Sequence, residues 1–327
     1  MTVALLLLAC VAKPHPDRAA DDSLSTDSQD SHDSHDSAPD SHSGDSHSDS
    51  RVDTETDTDS DSDSAHDSDS AHDSDTGDTD PAPVTLDFVL LPAQTFQMGC
   101  TASQYDCGTD ATEHTVTLTH DFYIANLEVT RRDWLEFAGE DPSYDTACGP
   151  DCPVEYVSWQ DAAEYANWLS DAEGLDDCYT CDGTTCIPHG SYACTGYRLP
   201  TEAEWEAAAR CGTDYTYAGS DIIEDVAWYH SNSGWGKEPG GQLAPNDCGL
   251  YDMSGNVFEW VQDTYDGDYG AEARTDPELD LGPANDRIAR GGAWDQLAPS
   301  EEVGFRTQSW PYYGSYTLGF RLARTAP

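Results

Sequence analysis

A twelve-residue run, GLYDMSGNVFEW (249–260), carries the most specific chemistry in this 327-residue sequence. Asp252 and Glu259 are hard oxygen donors seven residues apart, and Gly255 between them lets the chain turn sharply and present a backbone carbonyl. Carboxylates and carbonyls from a tight turn suit Ca²⁺. The competing reading is that Asp252 caps a turn and Glu259 pairs with an arginine. Glu202, Glu204 and Glu206 form a second acidic group. On a helix Glu202 and Glu206 share one face, whereas Glu204 lies off it, three residues after Thr201, where it reads as a capping-box partner. Acid–base catalysis by these carboxylates is therefore not expected. Trp310, Tyr312, Tyr313 and Tyr316 crowd one segment; such rings either stack on a sugar or peptide or pack against the protein itself.

Ten cysteines lie between Cys100 and Cys248, an even number. The spacings favour local pairs, Cys100 with Cys107 and Cys148 with Cys152. Cys178, Cys181, Cys186 and Cys194 share one insertion, which leaves Cys211 and Cys248 to pair by elimination. The four clustered cysteines would alternatively bind zinc. However, Cys178-x-x-Cys181 has no matching second knuckle, because seven residues separate Cys186 from Cys194.

The choice between disulfides and metal depends on the compartment. Residues 3–9 are an apolar run too short to span a bilayer, and Cys10 follows at once. Leu7-Leu8-Ala9-Cys10 resembles a bacterial lipobox, although no basic residue precedes the run and Leu8 is not the commonest residue at its position. The expectation is a signal peptide over 1–10, lipidation at Cys10, and display in the cell envelope or outside the cell as an outer-membrane lipoprotein; a cleaved secreted protein is the alternative. An oxidising compartment favours disulfides. Residues 11–83 read as a spacer. Between 21 and 80 there are 21 acidic residues against the single base Arg51, and almost nothing apolar to bury. The formal net charge of −50 repels phosphate backbones, so nucleic-acid binding is not expected.

One domain is expected over 84–327. Residues 86–91, 95–98 and 115–119 read as short strands, the last by its alternation. Thr130/Asp133, Ser158/Asp161 and Thr201/Glu204 are spaced as capping boxes and so open three helices. Ala162, Tyr165, Ala166 and Leu169 give the second helix one apolar face, and Gly212 can stop the third. Beyond Gly212 the chain is rich in Gly, Pro, Asn and aromatics with little periodicity. The fold class is α+β, irregular and loop-rich, and stapled by disulfides.

Several strings in order resemble the formylglycine-generating, or sulfatase-modifying factor, family: FQMG (96–99), LEVT (127–130), the segment from Pro153 to Ala162, RLPTEAEWEAAAR (198–210), GLYDMSGNVFEW, RGGAW (290–294) and GFR (319–321). The resemblance implies a compact fold related to C-type lectins. It also implies a structural calcium on Asp252, Gly255, Val257 and Glu259, the middle two through backbone oxygen. The family's enzymes oxidise a substrate cysteine with copper held by two cysteines, a thiolate chemistry that selects Cu(I). The matching positions here are Gln296 and Glu301, and no cysteine follows Cys248. Copper binding and formylglycine formation are therefore not expected. The expectation is a non-catalytic, calcium-stabilised binding module for a peptide or carbohydrate, tied to the membrane by its lipid anchor. Its pocket is expected near Trp294, Gln296, Glu301, Arg306, Trp310 and Arg321. An oxidoreductase using other ligands in the same pocket is the alternative.

Overall fold

The computed structural model describes residues 86–327. Cys10, the leader over 1–10 and the spacer over 11–83 lie outside the described residues. Within them, no helix is long and apolar enough to cross a membrane.

Each helix starts where its side chains satisfy the first free backbone N–H groups. In α1 (Arg131–Ala138), α2 (Trp159–Glu173) and α3 (Glu202–Arg210), Thr130, Ser158 and Thr201 accept from the third helical residue, whose carboxylate reaches back. Gly139 and Gly174 close the first two helices in the left-handed conformation. After α3 the left-handed cap is Cys211, its backbone N–H on Ala207 O and its sulfur on Cys248, and Gly212 follows it at φ 75°.

Strands β1 (Phe88–Leu91), β2 (Gln94–Met98), β3 (His114–Leu118) and β4 (Phe122–Ala125) precede the helices. The hairpin β5 (Tyr179–Cys181) and β6 (Cys186–Pro188) follows α2. After α3 come the single turn α4 (Ile223–Val226), β7 (Ala227–Trp228) and β8 (Ser254–Gly255), and then β9 (Phe258–Thr264), β10 (Arg274–Thr275), β11 (Arg287–Arg290), β12 (Arg306–Ser309), β13 (Leu318–Phe320) and β14 (Ala323–Thr325). The largest sheet has the order β12-β11-β9-β13, with β13 parallel to β9; β1-β4-β14 and β10-β3-β2 are smaller sheets, and β7 pairs with β8.

Two apolar clusters hold these short elements. Trp159, Ala162, Tyr165 and Ala166 of α2 pack with Trp134, Trp260 and Phe320. Trp205, Ala207, Ala208 and Ala209 of α3 pack with Val116, Phe122, Val261 and Ile288. Five disulfides tie the loops: Cys100–Cys107, Cys148–Cys152, Cys178–Cys194, Cys181–Cys186 and Cys211–Cys248. The insertion thus pairs in a nested way, which the spacings had left open.

Candidate functional site

The acidic face of α3 lies in the interior. Glu202, Glu204 and Glu206 are all buried. Arg198 donates to Glu204 through both terminal nitrogens, at 2.6 and 2.8 Å, with His120 Nε2 3.0 Å from the same carboxylate. Arg306 grips Glu202 through Nε and Nη2, both at 2.9 Å. Arg290 bridges Glu202 and Glu206 at 3.0 and 2.6 Å, and Arg210 donates to Glu206 at 2.9 Å. Aromatic faces cover two of these guanidiniums: Arg306 lies 4.0 Å from the Tyr269 ring centre, and Arg290 lies 5.2 Å from that of Trp205. Burial opposes ionisation of Glu204, but Arg198 and His120 outweigh it and hold the carboxyl at about 2. Burial pushes neighbouring Asp263 up to about 8, helped by the charge of Glu202.

The run 249–260 places its two carboxylates differently. Glu259 is fully buried and bidentate to Arg321, with both bonds at 2.6 Å, and it also accepts from Trp205 Nε1 at 2.8 Å. The arginine pairing set against calcium in the sequence is therefore real for Glu259. Asp252, at φ 56°, accepts from Gly241 N at 2.7 Å through Oδ2, while its buried Oδ1 has no partner. Both oxygens of buried Glu128 also lack one. Burial raises the Glu128 carboxyl well above its usual range, as do the charges of Asp252 and Glu259, against Arg321; burial likewise pushes Asp252 up to about 6. Three carboxylates thus surround one guanidinium, and three of their oxygens are buried without a hydrogen-bond partner. Buried hard oxygens of this kind are the donors a calcium ion takes, but the three carboxylates do not all come within 4.8 Å of one another, and the oxygens of Glu259 are held by Arg321 and Trp205. Gly255, at φ 84°, sits where any Cβ would run into the Trp228 backbone, and Val257 is fully buried. Among the described residues, one trio of ligating side chains lies within 4.8 Å, Glu164 with Cys181 and Cys186, and its two sulfurs are bonded to each other.

The two positions matched to copper ligands also diverge. Gln296 turns sideways, its amide donating to Asp295 Oδ1 at 2.8 Å. Glu301 points inward, fully buried, and accepts from Ala293 N at 3.2 Å. It occupies the space where a side chain on Gly292 would be, so the glycine is required there. Burial raises the Glu301 carboxyl well above its usual range.

The open cavity lies beside them. It is a groove of about 1280 Å³ walled by residues 144–149, Tyr156, residues 233–239, Trp294, Asp295 and Tyr316. Of the expected pocket residues, only Trp294 lines it. Arg306 and Arg321 are committed to buried carboxylates, Glu301 is folded under Gly292, and Gln296 and Trp310 fall outside the wall. The four aromatics of 310–316 also separate. Trp310 lies 6.0 Å from Tyr312 with the rings tilted, whereas Tyr316 stands between Trp294 at 5.8 Å and Tyr144 at 6.1 Å.

The chain matches the Sulfatase-modifying factor enzyme 1-like domain over residues 74–326. It belongs to that family. Its relatives include the chaperone protein LppX of Paenibacillus barcinonensis, 37% identical over 224 residues, covering 58% of this chain and 75% of the relative. The formylglycine-generating enzyme of Streptomyces coelicolor is 30% identical over 243 residues, covering 67% and 69%. Among solved structures, Treponema denticola variable protein 1 superposes with a TM-score of 0.65 at 30% identity, covering 73% of this chain and 95% of that one.

As a sulfatase-modifying factor domain, the chain carries family strings whose partners are distant in sequence. Glu128 was visible inside LEVT, but nothing local announced that it would be buried without a partner beside Asp252. Lys237 and Glu155, 3.0 Å apart and fully buried at the groove, were likewise unread, because 82 residues separate them.

Proposed function

We propose that this domain is a non-catalytic binding module of the sulfatase-modifying factor family, stiffened by calcium and displayed from the cell envelope through a lipid on Cys10. The observation that carries this reading is the pairing of an open aromatic groove with the loss of thiols beside it. All ten cysteines of the domain are in disulfides, and positions 296 and 301 hold an amide and a buried carboxyl. A relative bearing the name of a chaperone favours a polypeptide over a carbohydrate as occupant. In this reading calcium is held by Asp252, the carbonyls of Gly255 and Val257, and Glu259; the unpartnered oxygens of Glu128 and Asp252 support a cation there, and Glu128 supplies a further donor.

The test supplies full-length protein with copper, oxygen and a Cys-x-Pro-x-Arg peptide. Mass spectrometry should find the peptide cysteine unconverted. Formylglycine above a metal-only control, lost on Trp294→Ala, would show an oxidoreductase instead.

A further inference from the structure

The groove wall has an unusual balance of rings and charge. Tyr144, Tyr156, Trp235 and Tyr316 are between 43% and 76% exposed, and Trp294 stands beside them. Asp145, Glu238 and Asp295 share the wall. Its lysine, Lys237, is fully buried against Glu155 and presents no charge to a ligand. An occupant therefore meets aromatic faces and negative charge. Two of the rings are also held at a cost. Tyr156 and Trp235 have φ of 67° and 70°, a region that bulky residues rarely adopt. Folding alone gains little from keeping exposed rings on such a backbone; strain of this kind collects at binding sites.

We propose that the groove recognises a cationic side chain, an ammonium or a guanidinium, presented by a polypeptide segment, a proposal that rests on the binding-module reading. Aromatic faces attract a cation through their negative π-surface, most strongly when the cation is desolvated. Nearby carboxylates add attraction and reject anionic segments. The carboxylates also bear on the choice of cation. Asp145 Oδ1 accepts from Ala147 N at 2.9 Å, and Asp295 Oδ1 accepts from Gln296 at 2.8 Å. Both can still take a guanidinium's fork, as Glu259 does with Arg321 while bonded to Trp205, so the wall suits an ammonium and a guanidinium alike. A neutral sugar would use the rings but leave the negative wall unanswered.

The experiment compares acetyl-Gly-Lys-Gly-amide with its norleucine counterpart, titrated into full-length protein and followed by calorimetry. The two peptides differ in the ammonium and otherwise offer similar apolar length. The lysine peptide should bind about tenfold tighter or better. Trp235→Ala and Asp295→Asn should each remove most of that preference. Tyr313→Ala, an exposed ring outside the groove wall, should leave it intact and so controls for stacking on exposed rings elsewhere. Equal binding of the two peptides, no binding of the lysine peptide, or a preference untouched by both groove variants would overturn the proposal. None of these outcomes produces formylglycine, so failure here is distinct from failure of the binding-module reading.

Discussion

The interior behind α3 and the wall of the groove use the same residue types to opposite ends. In the interior, every buried arginine meets a carboxylate or carbonyl and half of them lie against an aromatic face. In the groove, carboxylates and rings are present but no cation faces them. Saturated charge fixes a structure, because removing either partner strands the other in a dry place. Unsaturated charge beside exposed rings adds little to folding and is left for a ligand. The contrast predicts that the two regions separate cleanly under mutation.

The largest effect should come from Arg321→Leu. It leaves Glu259 unpaired beside Glu128 and Asp252, and loss of about 3–5 kcal/mol is expected in denaturant unfolding. A change within 1 kcal/mol would mean that the cluster is not the saturated core described here. Next comes the Cys211–Cys248 disulfide, which closes 37 residues of chain and fastens the end of α3. Replacing both cysteines by alanine should cost about 4 kcal/mol. The same change at Cys148–Cys152, four residues apart beside the groove, should cost about half as much in a parallel melt. Equal costs would deny the interior its larger share.

Calcium should sharpen the comparison. A ligand that binds only the folded state at 100 times its dissociation constant contributes about 2.7 kcal/mol. Chelator should therefore lower Tm in the native protein, and both Glu128→Gln and Asp252→Asn should shrink that shift. A melt indifferent to chelator would remove calcium from the interior.

A pH profile tests Asp263. Its folded pKa of about 8 lies above the ordinary aspartate value, so the native state holds the proton more tightly. That contribution is complete below about pH 4 and is lost as pH rises through 8. With chelator present, stability should fall between pH 5 and 8, and Asp263→Asn should flatten the fall. An unchanged slope in that variant would assign the effect elsewhere. The smallest expected effect is Trp235→Gly. A glycine accepts φ 70° without strain and the ring is largely exposed, so stability should stay level or rise by up to about 1 kcal/mol while lysine-peptide binding is lost.

Local signals were legible in the sequence and distant ones were not. The three capping boxes, the alternating strand ending at Leu118 and the short-range disulfides each depend on residues within a few positions of one another. Apart from Arg210, one turn along the same helix, the arginine partners of Glu202 and Glu206 lie 84 to 104 residues away, so their spacing alone reads as a solvated helix face. The pocket was misplaced for the same reason. Arg306 and Arg321 were expected at the pocket from the family resemblance, whereas the fold turns both into the interior. Trp294 reached the groove because the turn after Gly292 leads it there, above an inward Glu301.

The sealed pair at the groove gives the protein a built-in reporter. Lys237 is the one lysine in residues 86–327, and its amine is fully enclosed with Glu155. An amine-directed reagent should pass over the native domain and mark it only once that segment has opened. Modification at this single position, counted by mass, would then read the opening of the groove wall without any added probe.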